Sequence, residues 1–419
     1  MWRNVKEFVW NNRAKIAATA VVAIGVTLYT TYTASNRPVY VRQGSQEGNK
    51  NEKNTIKPSM MRSRLLLRLR KMFEHNALKI FPTLNVCINK IVDIDSALRA
   101  IREFRKLKKD NTDGSVYTEN NPEAGNDDKE SFLWEELKIQ AFAVLYVTAY
   151  MLSITCVLLR IQLHLLGRYT RKKDITSNNE NYDTINFESL IRNTYEYLLH
   201  TGLSNFAARV RNAVIENVRD WIPNGKAAKR LTFAELYEMN KNIRASLETD
   251  MALLVKSMII PDETVLDTNR SLFMGSEMLP IHNLQNQTWD IVESPMFVVV
   301  LNEVLETCFT HVFDSLQRDV FSSDDSDLPD LRQTTNSIYL ASLLPQFSLI
   351  ASRMLPQDSI SNTIKEISNG IALDSFCVAI TDSYFDSEIN NDNFNGDSSD
   401  GWSLFSMFSS SKSDVSSEN

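Results

Sequence analysis

Glycine (12) and proline (11) are scarce in this 419-residue chain. Strand-rich folds spend both residues on many tight turns, so the shortage points to helices. No stretch of alternating apolar and polar residues stands against that. Cysteine is scarcer still: Cys87, Cys156, Cys308 and Cys377 lie far apart and form no C-x-x-C pair. This excludes a disulfide-built secreted module and reads as structural thiols in a reducing compartment. The five histidines, His75, His164, His200, His282 and His311, have no metal-ligand spacing, so each reads as a core or surface side chain. Phosphate-binding loops, the dinucleotide fingerprint, the zinc-protease motif and the nucleophile elbow are all missing. Acidic pairs such as Glu135-Glu136 and Asp324-Asp325 sit among polar residues, where solvated charge is the plain reading. The sequence therefore reads as a non-enzyme with no cofactor, no metal and no small-molecule substrate.

Charge is unevenly spread. Residues 1–109 carry 22 Lys and Arg against 7 Asp and Glu, a net +15, so the remaining residues sum to −22 within the total of −7. The basic part surrounds and follows an apolar run near the start, where it can face anionic headgroups. No zinc-finger spacing or RNP-like aromatic motif accompanies it, so nucleic acid is not the expected partner.

Two apolar runs stand out. Ile16–Thr33 is uncharged over 18 residues, the least a transmembrane helix needs. Ile16, Val21, Ile24 and Leu28 lie in its interior, Tyr29 and Tyr32 at its end, and Arg3, Lys6, Arg13, Lys15, Arg37 and Arg42 flank it. Aromatic side chains at its border and the lack of a good cleavage site read as an uncleaved anchor rather than a signal peptide. The second run, Ile139–Leu159, holds no charge over 21 residues. Its length suits either a bilayer span or the buried axis of a helical bundle. Arg160, Gln162 and His164 then alternate with apolar residues, predicting a mixed surface before a C-cap at Gly167.

The spacing divides the chain into residues 1–15, an anchor at 16–33, a polar tether at 34–59, a helical domain at 60–388 and a Ser/Asp/Asn-rich tail at 389–419, expected to be disordered. Within the domain, apolar spacings of three and four predict helices over 64–81, interrupted or bent at Pro82, and over 84–94. Asp95 or Ser96 is expected to cap the next, which carries Leu98, Ile101, Phe104 and Leu107. Residues 110–130 read as a mobile surface loop, and Ser131 as the N-cap of the apolar helix. Further helices are expected over 185–221, 231–258 (with a Thr232/Glu235 capping box), 288–321, 338–355 and 359–385. Trp402, Phe405 and Phe408 form an apolar island in the tail, either idle or a short partner-binding helix. Trp134, between a polar loop and the apolar helix, reads either as core or as a partly exposed anchor for a partner helix.

Ser131–Arg168 resembles the signature of the peroxin-3 family of peroxisomal membrane anchors. The match is Leu-Trp-Glu-Glu-Leu-Lys at 133–138, then a long apolar helix ending Leu-Leu-Arg-Ile-Gln-Leu-His-Leu-Leu-Gly at 158–167. The start, MWRNVKEFVWNNRAKI before an apolar segment, the block Trp289–Leu316 and the helix start Ile338–Pro345 agree with it. Residues 110–130 and the tail depart from the pattern. The resemblance implies an all-α protein: a lumenal N-terminus, a single N-terminal transmembrane helix in the peroxisomal membrane, and a large cytosolic helical bundle around a long central apolar helix. It implies that the partner is peroxin-19, whose amphipathic N-terminal helix enters a hydrophobic groove. The family's groove tryptophan falls on Trp134 and the following lysine on Lys138, with Leu98 and Ile101 of the preceding helix as lining. Fungal members also recruit inheritance and autophagy factors. Two other readings are a polytopic protein with a second span at 139–159 and a scaffold recruiting its partner through the tail.

Overall fold

The computed structural model describes residues 58–113, 123–176, 194–259, 279–321 and 337–382, apart from residues 226 and 357. The expected anchor with Ile16, Val21, Ile24, Leu28, Tyr29 and Tyr32, the tether up to residue 57 and the tail island lie outside the described residues, while residues 58 and 59 of the expected tether are already helical. Among the described residues the fold is all-α. The helices are α1 (Pro58–Ile91), α2 (Ile94–Asp113), α3 (Glu123–Thr176), α4 (Leu203–Val218), α5 (Phe233–Leu247), α6 (Met251–Ile259), α7 (Leu279–Glu293), α8 (Pro295–Leu316), α9 (Leu340–Met354), α10 (Asn362–Ser368) and α11 (Ile371–Asp382). The sole sheet among the described residues is a two-residue antiparallel ladder, Arg230 opposite Tyr339 and Leu231 opposite Ile338, which pins the start of α5 to the start of α9.

Helix α3 is the axis. At 54 residues it is about 80 Å long, and α1, α2, α4, α8, α9 and α11 all pack on it. Phe142, Tyr146 and Tyr150 recur every fourth residue and engage three neighbours: Phe142 meets Phe347 of α9 at 4.7 Å, Tyr146 meets Phe309 of α8 at 5.6 Å, and Tyr150 meets Phe206 of α4 at 5.4 Å. The two phenols keep their hydroxyls satisfied by donating to Asn240 (3.0 Å) and Glu248 (2.6 Å), as buried tyrosines must. The most apolar stretch of this helix is wholly covered by protein, so the second membrane span considered at 139–159 is not one. A helix enclosed on all sides needs apolar residues all round, as a span does, and hydropathy alone cannot separate the two. Helix α8 continues as a π-turn to Phe321, and this stretch is also long and apolar enough to cross a membrane by composition. Its outer stripe, Asn302, Glu303, Glu306, Thr310 and Asp314, is polar and exposed.

Several boundaries differ from the sequence expectation. Pro82 does not break α1. Ile80, Phe81 and Leu84 around it are all but fully buried, and Thr83 Oγ1 donates to Lys79 O at 3.1 Å beside the gap that the missing N–H leaves. Asp93, not Asp95 or Ser96, caps α2 by accepting from the Ser96 N–H. Ser131 lies inside α3, which starts at Glu123, while α2 runs to Asp113, so helix takes both ends of the expected loop, and residues 114–122 lie outside the described residues. Gly167 lies inside α3 rather than ending it: a Cβ there would come within 3.2 Å of both δ-methyls of Leu69, so glycine serves the close crossing of α1. Gly202 is tighter still, in a π-turn (Leu198–Gly202) where a Cβ would sit 2.1 Å from the carbonyl oxygen of Met258.

The expected mixed surface at 160–164 is also absent: Arg160, Gln162 and His164 are buried, at 3 %, 0 % and 2 % exposure. Helix α11 supplies partners for two of them. Arg160 pairs with Asp374, which also takes Arg70 of α1 at 2.6 Å, and His164 Nδ1 meets Thr381 Oγ1 at 2.8 Å. The capping box predicted at Thr232 and Glu235 is present. The expected helix 288–321 divides at Ser294, whose side chain accepts from the Phe297 N–H, with Pro295 opening α8.

Candidate functional site: a half-buried tryptophan at the start of the central helix

The site is built from the packed pair α2 and α3. On α2, Leu98, Ile101 and Arg105 are spaced by three and four and so share one face. Ile101 is buried at 4 % exposure and Leu98 is half-buried against the core. Arg105, one turn further on, reaches across to α3: its Nε donates to Glu130 Oε1 at 3.1 Å, and its guanidinium lies 5.2 Å from the centroid of the Trp134 ring. Glu130 and Trp134 are four apart, one above the other on α3. The face carrying Leu98 and Ile101 and the tryptophan therefore belong to one helix pair.

Trp134 is half-buried, with its ring against the core. Its Nε1 is covered and has no hydrogen-bond acceptor among the described residues. Phe132, just over half a turn away round α3, is 70 % exposed, and Leu107 of α2 is 62 % exposed.

Lys138 departs from the groove-lining role expected of it. It is fully buried, and its Nζ donates to Val218 O and Trp221 O, both at 2.8 Å, while pairing with Glu135 at 2.7 Å. It therefore closes the C-terminal end of α4, where carbonyls lack helical donors and carry partial negative charge. Its place one turn after Trp134 put it on the right stripe of α3, but that stripe turns from α2 towards α4. A second tie runs the same way. Arg211 of α4 grips both oxygens of Glu136 at 2.8 and 2.7 Å, and Gln140 adds a third bond at 2.7 Å. The Arg211 hydrogen bonds hold the Glu136 carboxyl below its ordinary range. The first turns of α3 are thus clamped on one side to α2 and on the other to α4, fixing where Trp134 sits.

Among the described residues no His, Cys, Asp and Glu group is placed to hold a metal ion. The four cysteines are free, and burial pushes the thiols of Cys308 and Cys377 up to about 12 and about 11. Sequence reasoning missed Arg105 and Glu130. The charges were visible, but their pairing over the ring crosses a 25-residue separation.

The model of the Peroxin-3 family matches residues 41–181 and 195–381, which includes both helices of this site. The chain belongs to the peroxin-3 family. It is similar to proteins named peroxisomal biogenesis factor 3. That of Mus musculus is 26 % identical over 237 residues, covering 54 % of this chain and 60 % of the relative. That of Bos taurus is 27 % identical over 239 residues with the same coverage, and that of Homo sapiens 27 % over 211 residues, covering 47 % and 55 %. The alignments thus take in about three fifths or less of each relative's length. The all-α architecture around a buried apolar axis is the form the resemblance implied for a peroxin-3 protein.

Proposed function

We propose that this protein is a membrane-tethered docking receptor of peroxisome biogenesis. In this reading Ile16–Thr33 crosses the peroxisomal membrane once, residues 1–15 face the lumen, and residues 34–57 tether the helical domain in the cytosol. The domain receives the amphipathic N-terminal helix of peroxin-19 at the α2–α3 pair and performs no catalysis. Membership of the peroxin-3 family and the names of the relatives support the peroxisomal role. The observation that carries the docking site is the half-buried Trp134 on the helix pair whose α2 face carries Leu98 and Ile101. Trp134 is the anchor, Leu98 and Ile101 form the wall beneath it, and Lys138 supports the ring's position without touching the partner.

The energetics suit a reversible receptor. A tryptophan contributes about 150–250 Å² of contact, roughly 4–6 kcal/mol gross at about 25 cal/mol per Å². Losing such an anchor ordinarily costs about 2 kcal/mol or more, a roughly thirtyfold loss of affinity. The test is calorimetric titration of the full-length protein in detergent micelles with a peptide of the peroxin-19 N-terminal helix. Saturable one-to-one binding that Trp134→Ala removes, with helicity retained, is expected. A folded protein that gives no heat, or that binds equally well without Trp134, would refute this site.

A further inference from the structure

The Trp134 site contains a charge pair that docking through apolar contacts leaves unused. Arg105 is 52 % exposed and Glu130 18 %, so the cation sits at the solvent edge while its carboxylate is recessed. A guanidinium over an indole occupies the face that an apolar side chain would need. It is weakly held there, since an exposed cation–π contact and an exposed ion pair each contribute little. Moving it costs both contacts unless another carboxylate receives it. The surroundings favour such an acceptor: Arg99, Arg102 and Lys106 are also exposed on α2, against the single exposed carboxylate Glu103 among residues 99–107. An acidic segment is drawn to this rim and a basic one repelled.

We infer that Arg105 is a displaceable lid on Trp134, and that the site selects an amphipathic helix with a carboxylate one turn from its apolar anchor, which takes Arg105 over from Glu130 as the anchor reaches the ring. The partner chemistry rests on the docking reading; the lid itself does not.

Two measurements on the full-length protein in micelles test this. The first needs no partner. Acrylamide quenching of tryptophan emission, with Trp134→Phe subtracted to isolate Trp134, is compared between wild type and Arg105→Gln. Removing the lid is expected to raise the Trp134 quenching constant about twofold, as burial of the ring is lost on one face. An unchanged constant overturns the lid. The second uses a helical peptide carrying the carboxylate and its Gln analogue. Wild type is expected to prefer the acidic peptide by roughly three- to tenfold. In Arg105→Gln the preference should vanish, with the Gln analogue binding more tightly than it does to wild type. A preference that persists in Arg105→Gln overturns the selection mechanism. If neither peptide binds wild type, the docking reading and the partner chemistry both fall, while quenching still decides the lid.

Discussion

The two parts of α3 treat charge in opposite ways. In its first turns, from Lys129 to Lys138, Glu130 and Glu136 pair with Arg105 and Arg211 at the surface, and Trp134 is left half open. From Ile139 to Leu166 nearly everything is enclosed, and even Arg160, Gln162 and His164 are buried. The first part holds a surface in place; the second holds the protein together. The same helix does both because exposure is set by its neighbours. Helices α8, α9 and α11 pack along it, while in its first turns the described partners are chiefly α2 and α4.

The contrast predicts where damage falls. Asp374→Ala leaves the Arg160 guanidinium buried without its carboxylate and is expected to cost about 3–5 kcal/mol of stability. Chemical denaturation measures it, and a loss below 1 kcal/mol would mean that the buried part tolerates charge as the first turns do. His164 gives a pH signature. Burial, reinforced by Arg160, lowers its pKa to about 3 from the ordinary 6.5. The unfolded chain therefore takes up a proton that the folded protein refuses. Its contribution is fully present above about pH 6.5 and is lost as pH falls towards 3, by at most about 1.4 kcal/mol per unit. Between pH 6.5 and 4.5 the stability of wild type should fall about 2 kcal/mol more than that of His164→Gln; equal slopes would show that the imidazole takes a proton within the fold.

In the first turns the effects should shift from folding to binding. Trp134→Ala is expected to weaken peptide binding by about 2 kcal/mol while costing little stability. A stability loss above about 3 kcal/mol would reassign the ring to the core. Arg211→Ala removes a half-exposed pair and should cost about 1 kcal/mol or less. A double substitution with Lys138→Met would show whether the two ties of α3 to α4 act independently.

Much of this was legible from residue order alone. The shortage of glycine and proline, the spacings of three and four, and the capping box at Thr232 all announced helices, and Leu133–Lys138 pointed to the family. Other features were not legible, for reasons of distance. Pro82 looked like an interruption or a bend because a sequence window does not show that Ile80, Phe81 and Leu84 are buried together. Gly167 looked like a terminus because Leu69, which it accommodates, lies almost a hundred positions earlier. Lys138 looked like a lining residue because the carbonyls it caps belong to α4, about eighty positions later.

Sequence alone determined that the chain is helical and that one helix is apolar enough to be enclosed on every side, since both follow from local propensity and periodicity. Only the tertiary structure decided what encloses it. Hydropathy measures aversion to water and is the same whether lipid or protein supplies the alternative. The side chains of α1, α8, α9 and α11 packed around α3 are what make it a core, and the sparser cover over its first turns is what leaves Trp134 half exposed.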